Sequence, residues 1–135
     1  MLREGQSFSG FDTSQKRLDF DDRRGHLQAF IRDMVREAPS WSGEIAKASV
    51  GSAQTAIAFL AALPSNRALP LVAADDEGDV LFVWRPPTGD CILTIEEGTL
   101  HLVVRPGGVE VDYVDSVPFT GVHIPLSILQ NLPMR

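Results

Sequence analysis

The hydrophobic period of the chain changes at Leu69, and this change limits the folds that the chain can adopt. Before Leu69, apolar residues recur every three to four positions, which is typical of helices with one buried face. After it, apolar and polar residues alternate in short runs between glycine-containing turns, which is typical of half-buried strands. This order predicts an α+β domain: two N-terminal helices packed on a four- to five-stranded antiparallel β-meander, followed by a short C-terminal helix.

The first predicted helix begins at Asp21 or Asp22 and ends at Ala38, because Pro39 disfavours its continuation. Its apolar residues are spaced three and four apart, so they form one stripe that is expected to face the core. They are Leu27, Phe30, Ile31, Met34 and Val35.

The second predicted helix has Ser49 as its N-cap and runs to about Leu63, where Pro64 ends it. A turn at residues 41–44 connects the two helices. Alanine is frequent in this helix, which favours helix formation and close packing. Its expected buried residues are Ala53, Ala56, Ile57, Leu60 and Leu63.

Five strands are predicted after the second helix. Their ranges are 69–74, 80–85, 91–96, 99–105 and 109–114. In the second of them, Val80, Phe82 and Trp84 share one face, and Leu81 and Val83 share the other. Because the second and fourth strands are apolar on both faces, we expect a partner or a second copy to cover part of the second sheet face.

A final short helix is predicted from Pro125 to Leu132, because proline suits the first position of a helix. Leu126, Leu129 and Leu132 are expected to face inward. This helix would close the domain after the meander.

A chain of 135 residues fits a single domain, predicted here over residues 19–135. Residues 1–18 show no hydrophobic period, which predicts a flexible N-terminal tail; ordering against a partner is the alternative. The sequence has no apolar run that could span a bilayer, no secretory signal, and a single cysteine, which excludes an internal disulfide. We therefore expect a bacterial-type cytoplasmic protein.

Acidic residues are concentrated in the predicted sheet. Residues 69–135 contain ten acidic and three basic residues and carry a net charge of −7, whereas residues 1–68 carry +1. Such an acidic half repels phosphate backbones, so direct nucleic acid binding is not expected, and it favours a basic partner. The alternative is that the acidic turns only keep a small sheet soluble.

No residue pattern in the sequence indicates a catalytic or metal site. Cys91 follows Asp90, which is expected to raise the pKa of the thiol and make it a poor nucleophile. His26, His101 and His123 lack partners at the spacings that metal ligands show. We therefore expect no enzyme activity, no metal and no cofactor.

Two groups of acidic residues resemble binding or catalytic sites in composition alone. Residues 75–79 lack the ligand order of a calcium loop, so they are interpreted as a solvated turn. Glu96, Glu97 and Glu110 could place carboxylates side by side across strands, but acid–base catalysis needs a cleft that a small meander seldom has.

Several short motifs carry a resemblance to a group of proteins. They are a Trp-Ser-Gly turn at 41–43, a helix end at 58–64 of the form F-L-x-x-L-P, and a hairpin at 69–72 and 78–85. Over residues 41–132 the chain resembles a loose group of small bacterial accessory proteins of mobile elements. The serine of the turn stands where that group usually has aspartate. The resemblance implies an accessory protein that acts on another protein in defence, counter-defence or toxin–antitoxin systems.

The acidic half, the two-sided apolar strands and the absence of catalytic patterns favour a non-enzymatic protein-binding module. It would inhibit or neutralise its partner in an anti-CRISPR-like, antitoxin-like or immunity-like manner. The expected partner is a protein, either basic or itself nucleic-acid-binding, with no direct contact with nucleic acid or membrane. The candidate partner-binding residues are Asp75, Asp76, Glu77, Asp79, Phe82, Trp84, Glu96, Glu97, Glu110 and Asp112.

Two other interpretations stay open at this point. One is a self-associating structural protein, a homodimer in which Phe82, Trp84, Ile95 and Val103 join two subunits. The other is an enzyme or small-ligand carrier with a pocket between the helices and the sheet.

Overall fold

The computed structural model describes residues 5–36, 47–105 and 110–135. Their order is that of an α+β domain: two helices, five strands and a short third helix, as predicted. The elements are α1 (Gly5–Arg36), α2 (Val50–Ala62), β1 (Leu71–Ala74), β2 (Val80–Trp84), β3 (Cys91–Glu96), β4 (Thr99–Val104), β5 (Asp112–Pro118) and α3 (Leu126–Leu129). The predicted turn at 41–44 and the stop at Pro39 lie outside the described residues.

Helix α1 begins at Gly5, so the predicted start at Asp21 or Asp22 was wrong. The chain has no proline before Pro39, and nothing in this polar stretch prevents helical backbone. The mobility predicted for residues 1–18 stays a prediction. The predicted apolar stripe is confirmed, since Ile31 and Met34 are fully buried and its other members pack against the core.

Two polar side chains of α1 connect it to α2. The Arg24 guanidinium donates to the carbonyl of Leu63 at 3.3 Å and is held by the Asp21 carboxylate at 2.6 Å. Gln28 donates from Nε2 to the carbonyl of Ile57 at 3.1 Å. Arg24 therefore places positive charge at the C-terminal end of α2, where the free helix carbonyls need donors.

Helix α2 begins as predicted, because the hydroxyl of Ser49 accepts the N–H of Ser52 at 3.2 Å. Its buried side includes Phe59 and Leu60 as well as small alanines. The ring of Phe59 makes edge-to-face contacts with Phe82 at 5.7 Å and Phe119 at 5.9 Å. The helix thus packs directly on the centre of the sheet.

The sheet is an antiparallel meander with strand order β1-β2-β3-β4-β5. Its inner face, defined here as the face covered by the helices, alternates with an outer face along each strand. Every inner-face residue of β2, β3 and β4 is buried. These residues are Val80, Phe82, Trp84, Cys91, Leu93, Ile95, Leu100, Leu102 and Val104.

Strand β5 is displaced from its predicted position at 109–114. It runs from Asp112 to Pro118 and so extends four residues beyond the predicted end of the strand. The pairing with β4 shifts between Leu100 and Leu102, and Ser116 adopts a positive φ of 54°. This bulge allows Val114 and Val117, three residues apart, to pack against the same core.

The C-terminal segment contributes to the core as predicted at two of its three leucines, because Leu132 is buried and Leu129 packs against the core. Helix α3 is a single turn in which Ile128 is fully buried, whereas Leu126 is 71% exposed, so its predicted inward orientation was wrong. Pro125 caps this turn. The segment that follows pairs with the connection after α2, with a bridge between Arg67 and Met134.

Candidate protein-binding surface

The outer face of the sheet carries a continuous row of apolar residues. The pairing registers place one residue from each strand in line across all five strands. We call these five residues the outer row; they are Leu71, Val83, Ile92, Val103 and Tyr113. With strands about 4.8 Å apart, the outer row is about 19 Å long.

None of the outer row is buried in the described structure. Tyr113 is 70% exposed and Leu71 63% exposed, at the two edges of the sheet, and the three residues between them are half-buried. The outer row also lies outside the hydrophobic core cluster. It is therefore apolar surface that the described residues leave in contact with solvent.

The character of the outer face changes along the strands. The next register line, one strand repeat of about 7 Å away, contains Ala73, Leu81, Thr94 and His101. Beyond it the face ends in the Glu96–Thr99 pair at the β3–β4 turn. The outer face is thus apolar along the outer row and acidic at the β3–β4 turn.

His101 stands between two carboxylates at this acidic end. Its Nε2 contacts the Glu96 carboxylate and its Nδ1 lies 2.5 Å from the Asp115 carboxylate. These hydrogen bonds, that of Asp115 first, raise the pKa of His101 against the lowering by partial burial. We call these three residues the His101 cluster. It joins β3, β4 and β5, and sequence reasoning missed it.

Asp79 adds to the negative charge of this end. Partial burial first, and then the neighbouring carboxylates of Asp75, Glu96 and Glu77, raise the pKa of Asp79, while His101 lowers it. Asp79 is thus close enough to Asp75, Glu77 and Glu96 for their negative charges to act on it together. Four of the candidate acids, Asp75, Glu77, Asp79 and Glu96, therefore lie in one region around the β1–β2 and β3–β4 turns.

Other candidate acids have local structural partners. The Asp75 carboxylate accepts the N–H groups of Glu77 and Asp79, both at 2.9 Å, and so shapes the β1–β2 turn in which Asp76 is exposed. The side chain of Glu97 lies against Gly51, beside the N-terminal turn of α2, where a carboxylate suits the helix dipole.

Glu110 and Asp112 lie at the opposite end of the strands, next to Arg105. The Arg105 guanidinium donates to the carbonyl of Glu110 at 3.1 Å and to the Asp112 carboxylate at 3.3 Å. Both residues are exposed. They are therefore separated from the His101 cluster, and the ten candidate residues do not form one site.

Phe82 and Trp84 do not belong to the surface, so their predicted role in partner binding was wrong. Phe82 is 0% exposed and Trp84 3% exposed, and Trp84 donates from Nε1 to the carbonyl of Ala68 at 2.8 Å. Helix α2 covers their side of the sheet. The predicted dimer surface fails for the same reason, because Ile95 is buried and only Val103 lies on the outer face.

Cys91 is not exposed on the protein surface. Cys91 is buried, and burial first and then Asp90 raise its thiol pKa against the lowering by Arg105, as expected for a poor nucleophile. Within residues 5–36, 47–105 and 110–135, no three His, Cys, Asp or Glu residues are grouped to hold a metal ion. Nor does any helix in these ranges have the length and apolar character needed to cross a bilayer.

A cleft of about 520 Å³ lies beside α1 and the C-terminal segment. The Phe20 ring at its base is itself buried, with the Arg24 guanidinium 5.1 Å from the ring centroid and that of Arg135 5.5 Å from it. Both cations therefore already contact the aromatic ring that a ligand would stack on.

We predict that the His101 cluster makes stability depend on pH. The pKa of His101 is raised in the folded protein. The stability that protonated His101 contributes is therefore fully present below its unfolded-state pKa of about 6.5, and it is lost as pH rises through the folded-state pKa. From about pH 5.5 to about pH 9, wild type is expected to lose roughly 0.5–1 kcal/mol more unfolding free energy than His101→Gln. Urea unfolding at several pH values measures this difference, and parallel pH profiles of the two proteins would contradict it.

No protein family, curated protein or solved structure matches this chain. The resemblance to bacterial accessory proteins over residues 41–132 therefore stays a prediction.

Proposed function

We propose that this chain is a non-enzymatic protein-binding module whose outer sheet face docks on a partner protein and inhibits or neutralises it. The observation that carries the proposal is the outer row, in which five strands each contribute one unburied apolar residue in register. A soluble domain rarely leaves such a row uncovered unless it binds something there.

The rigidity of the underlying sheet supports this use of the outer face. The opposite side of the same strands is fully packed, with Phe82, Leu93 and Leu102 all within 1% of complete burial. A surface held by a close-packed core loses little conformational freedom on binding. The proposed inhibition is anti-CRISPR-like, antitoxin-like or immunity-like, in line with the resemblance to bacterial accessory proteins.

A second candidate is self-association through the same face. The outer row favours it as well, because apolar rows on two copies can pack against each other. Light scattering at increasing concentration distinguishes this candidate. A monomer throughout the range would exclude it.

The test of the proposal is capture of a partner by outer-row variants. Tagged wild type and a Val103→Thr/Tyr113→Ala double variant are incubated with host lysate at low salt, and captured proteins are quantified by mass spectrometry. Threonine keeps the β-branched shape that strands favour, so the fold should persist. We expect a near-stoichiometric partner of wild type to fall by about tenfold or more in the variant.

Leu126→Ala provides the matched control. Leu126 is as exposed as Tyr113 but lies on α3, away from the outer face. This variant should capture the partner as well as wild type does. Equal capture by the double variant, or capture of nothing by wild type, would overturn the proposal.

A further inference from the structure

The outer row and the acidic end of the outer face favour different side chains in a bound partner. The outer row favours apolar side chains. The carboxylates of Glu96 and Asp115 lie one to two strand repeats from the outer row, about 7–13 Å away, and they favour positively charged side chains. A single binding segment would need both chemistries side by side.

We propose, building on the proposed function, that the outer face binds a protein segment whose apolar side chains stand beside Lys or Arg side chains, and that these cations replace His101 as the partner of Glu96 and Asp115. The segment's apolar side chains cover the outer row. Its cations lie over the acidic end. In the free protein, His101 therefore occupies the position between the carboxylates that a cation of the segment takes in the complex. We call this the placeholder role of His101.

Charge disfavours a second copy as the occupant. Residues 69–135 carry a net charge of −7, so a second copy brings a second acidic sheet against the first. A segment that carries Lys or Arg side chains instead brings the opposite charge to the carboxylates of Glu96 and Asp115.

The placeholder role follows from the geometry of the His101 cluster. An imidazolium donates from both ring nitrogens, so protonated His101 satisfies Glu96 through Nε2 and Asp115 through Nδ1. The backbone N–H of Ser116 also lies 3.1 Å from Nδ1, and it can donate to this nitrogen when His101 is neutral. The charged groups around it are Glu96 on β3, Asp115 on β5 and Asp79 directly before β2. His101 is only 24% exposed, whereas both carboxylates reach solvent and are open to a competing cation.

The exchange has a defined proton balance. A Lys or Arg of the segment takes over the carboxylates, and the released His101 gives its proton to solvent above about pH 6.5, its ordinary pKa. Because binding then releases a proton, affinity rises as pH rises through the titration of His101. His101→Gln removes this release.

The probe is a synthetic fluorescein-labelled peptide of about 14 residues. In its sequence each Leu is followed by one Arg and one Ser. Two matched peptides carry Glu in place of Arg, or Ser in place of Leu. Binding to the full chain is measured by fluorescence anisotropy at two salt concentrations and between about pH 5.5 and pH 8.5. We expect only the Leu/Arg peptide to bind, more weakly as salt rises.

Four variants test where the peptide binds and whether it displaces His101. Val103→Thr/Tyr113→Ala should weaken binding of the Leu/Arg peptide by about tenfold, and Glu96→Gln/Asp115→Asn by about fivefold or more. Asp22→Asn/Asp33→Asn removes the same charge from exposed positions of α1 and should leave affinity within about twofold of wild type. At low pH, His101→Gln should bind about threefold more tightly than wild type, and its affinity should vary less with pH.

Several outcomes would overturn this inference. They are equal binding of the Glu peptide, equal loss in the α1 control, unchanged affinity in the Glu96/Asp115 variant, or a dimer that depends on Val103, which would make a second copy the occupant. The proposed function is tested separately. Lysate capture that depends on Val103 and Tyr113, combined with no preference for the Arg peptide, would leave that function standing and remove only the cationic segment.

Discussion

Replacing Phe82 by alanine is expected to lower the free energy of unfolding by about 3–5 kcal/mol. The Phe82 side chain is completely buried and makes edge-to-face contacts with Phe59 at 5.7 Å and Trp84 at 6.1 Å. Its removal leaves a cavity between α2 and the sheet that the surrounding rings cannot fill without losing these contacts. Urea unfolding followed by tryptophan fluorescence measures the change.

The matched control is Tyr113→Ala, on the other side of the same sheet. Tyr113 is 70% exposed at the edge strand β5, so its loss should change stability by about 1 kcal/mol or less. The two variants should therefore separate stability from binding. If Phe82→Ala unfolds like wild type but loses the partner, Phe82 would be a surface residue after all.

The contrast between Phe82 and Val83 shows what an alternating strand pattern can and cannot predict. The pattern correctly separated Val80, Phe82 and Trp84 from Leu81 and Val83. Both faces are apolar, so alternation alone could not tell which one the helices cover. That depends on where α2 packs, a long-range contact that no local spacing contains.

Only part of the His101 cluster could be predicted from the sequence. A two-residue turn at Glu97 and Gly98 pairs Glu96 with Thr99, which places Glu96 and His101 diagonally on one face. That relation could have been predicted from the hairpin. The contribution of Asp115 could not, because it depends on the bulge next to Ser116, whose positive φ no residue type in this stretch signals.

The early start of α1 illustrates a different limit. Its buried residues within the described side chains are Phe20, Ile31 and Met34. Phe20 stands seven residues before Leu27, two helical turns, so it continues the same stripe. The polar residues around it carried no period, and the helix could not be recognised there from hydrophobicity alone.

The second large effect is expected for Ser52→Ala, which should cost about 2–3 kcal/mol. Ser52 is the buried polar residue at the contact between α2 and the sheet. Its hydroxyl donates to the carbonyl of Ile95 at 2.5 Å and accepts the N–H of Val80 at 2.8 Å. Alanine would leave both backbone groups buried without a partner, and the penalty comes from that desolvation rather than from lost volume.

Ser127→Ala is the control, because it makes the same chemical change at an exposed position of α3 and should alter stability by less than about 0.5 kcal/mol. Hydrogen exchange adds a local readout, since the Val80 amide should lose protection in Ser52→Ala more than the amides at the centre of β3 do. Unchanged protection at Val80 together with wild-type stability would show that the hydroxyl does not join α2 to strands β2 and β3. The expected loss at this one amide would instead show that the Ser52 hydroxyl holds the Val80 N–H at the contact between α2 and the sheet, in addition to the ring contacts of Phe59.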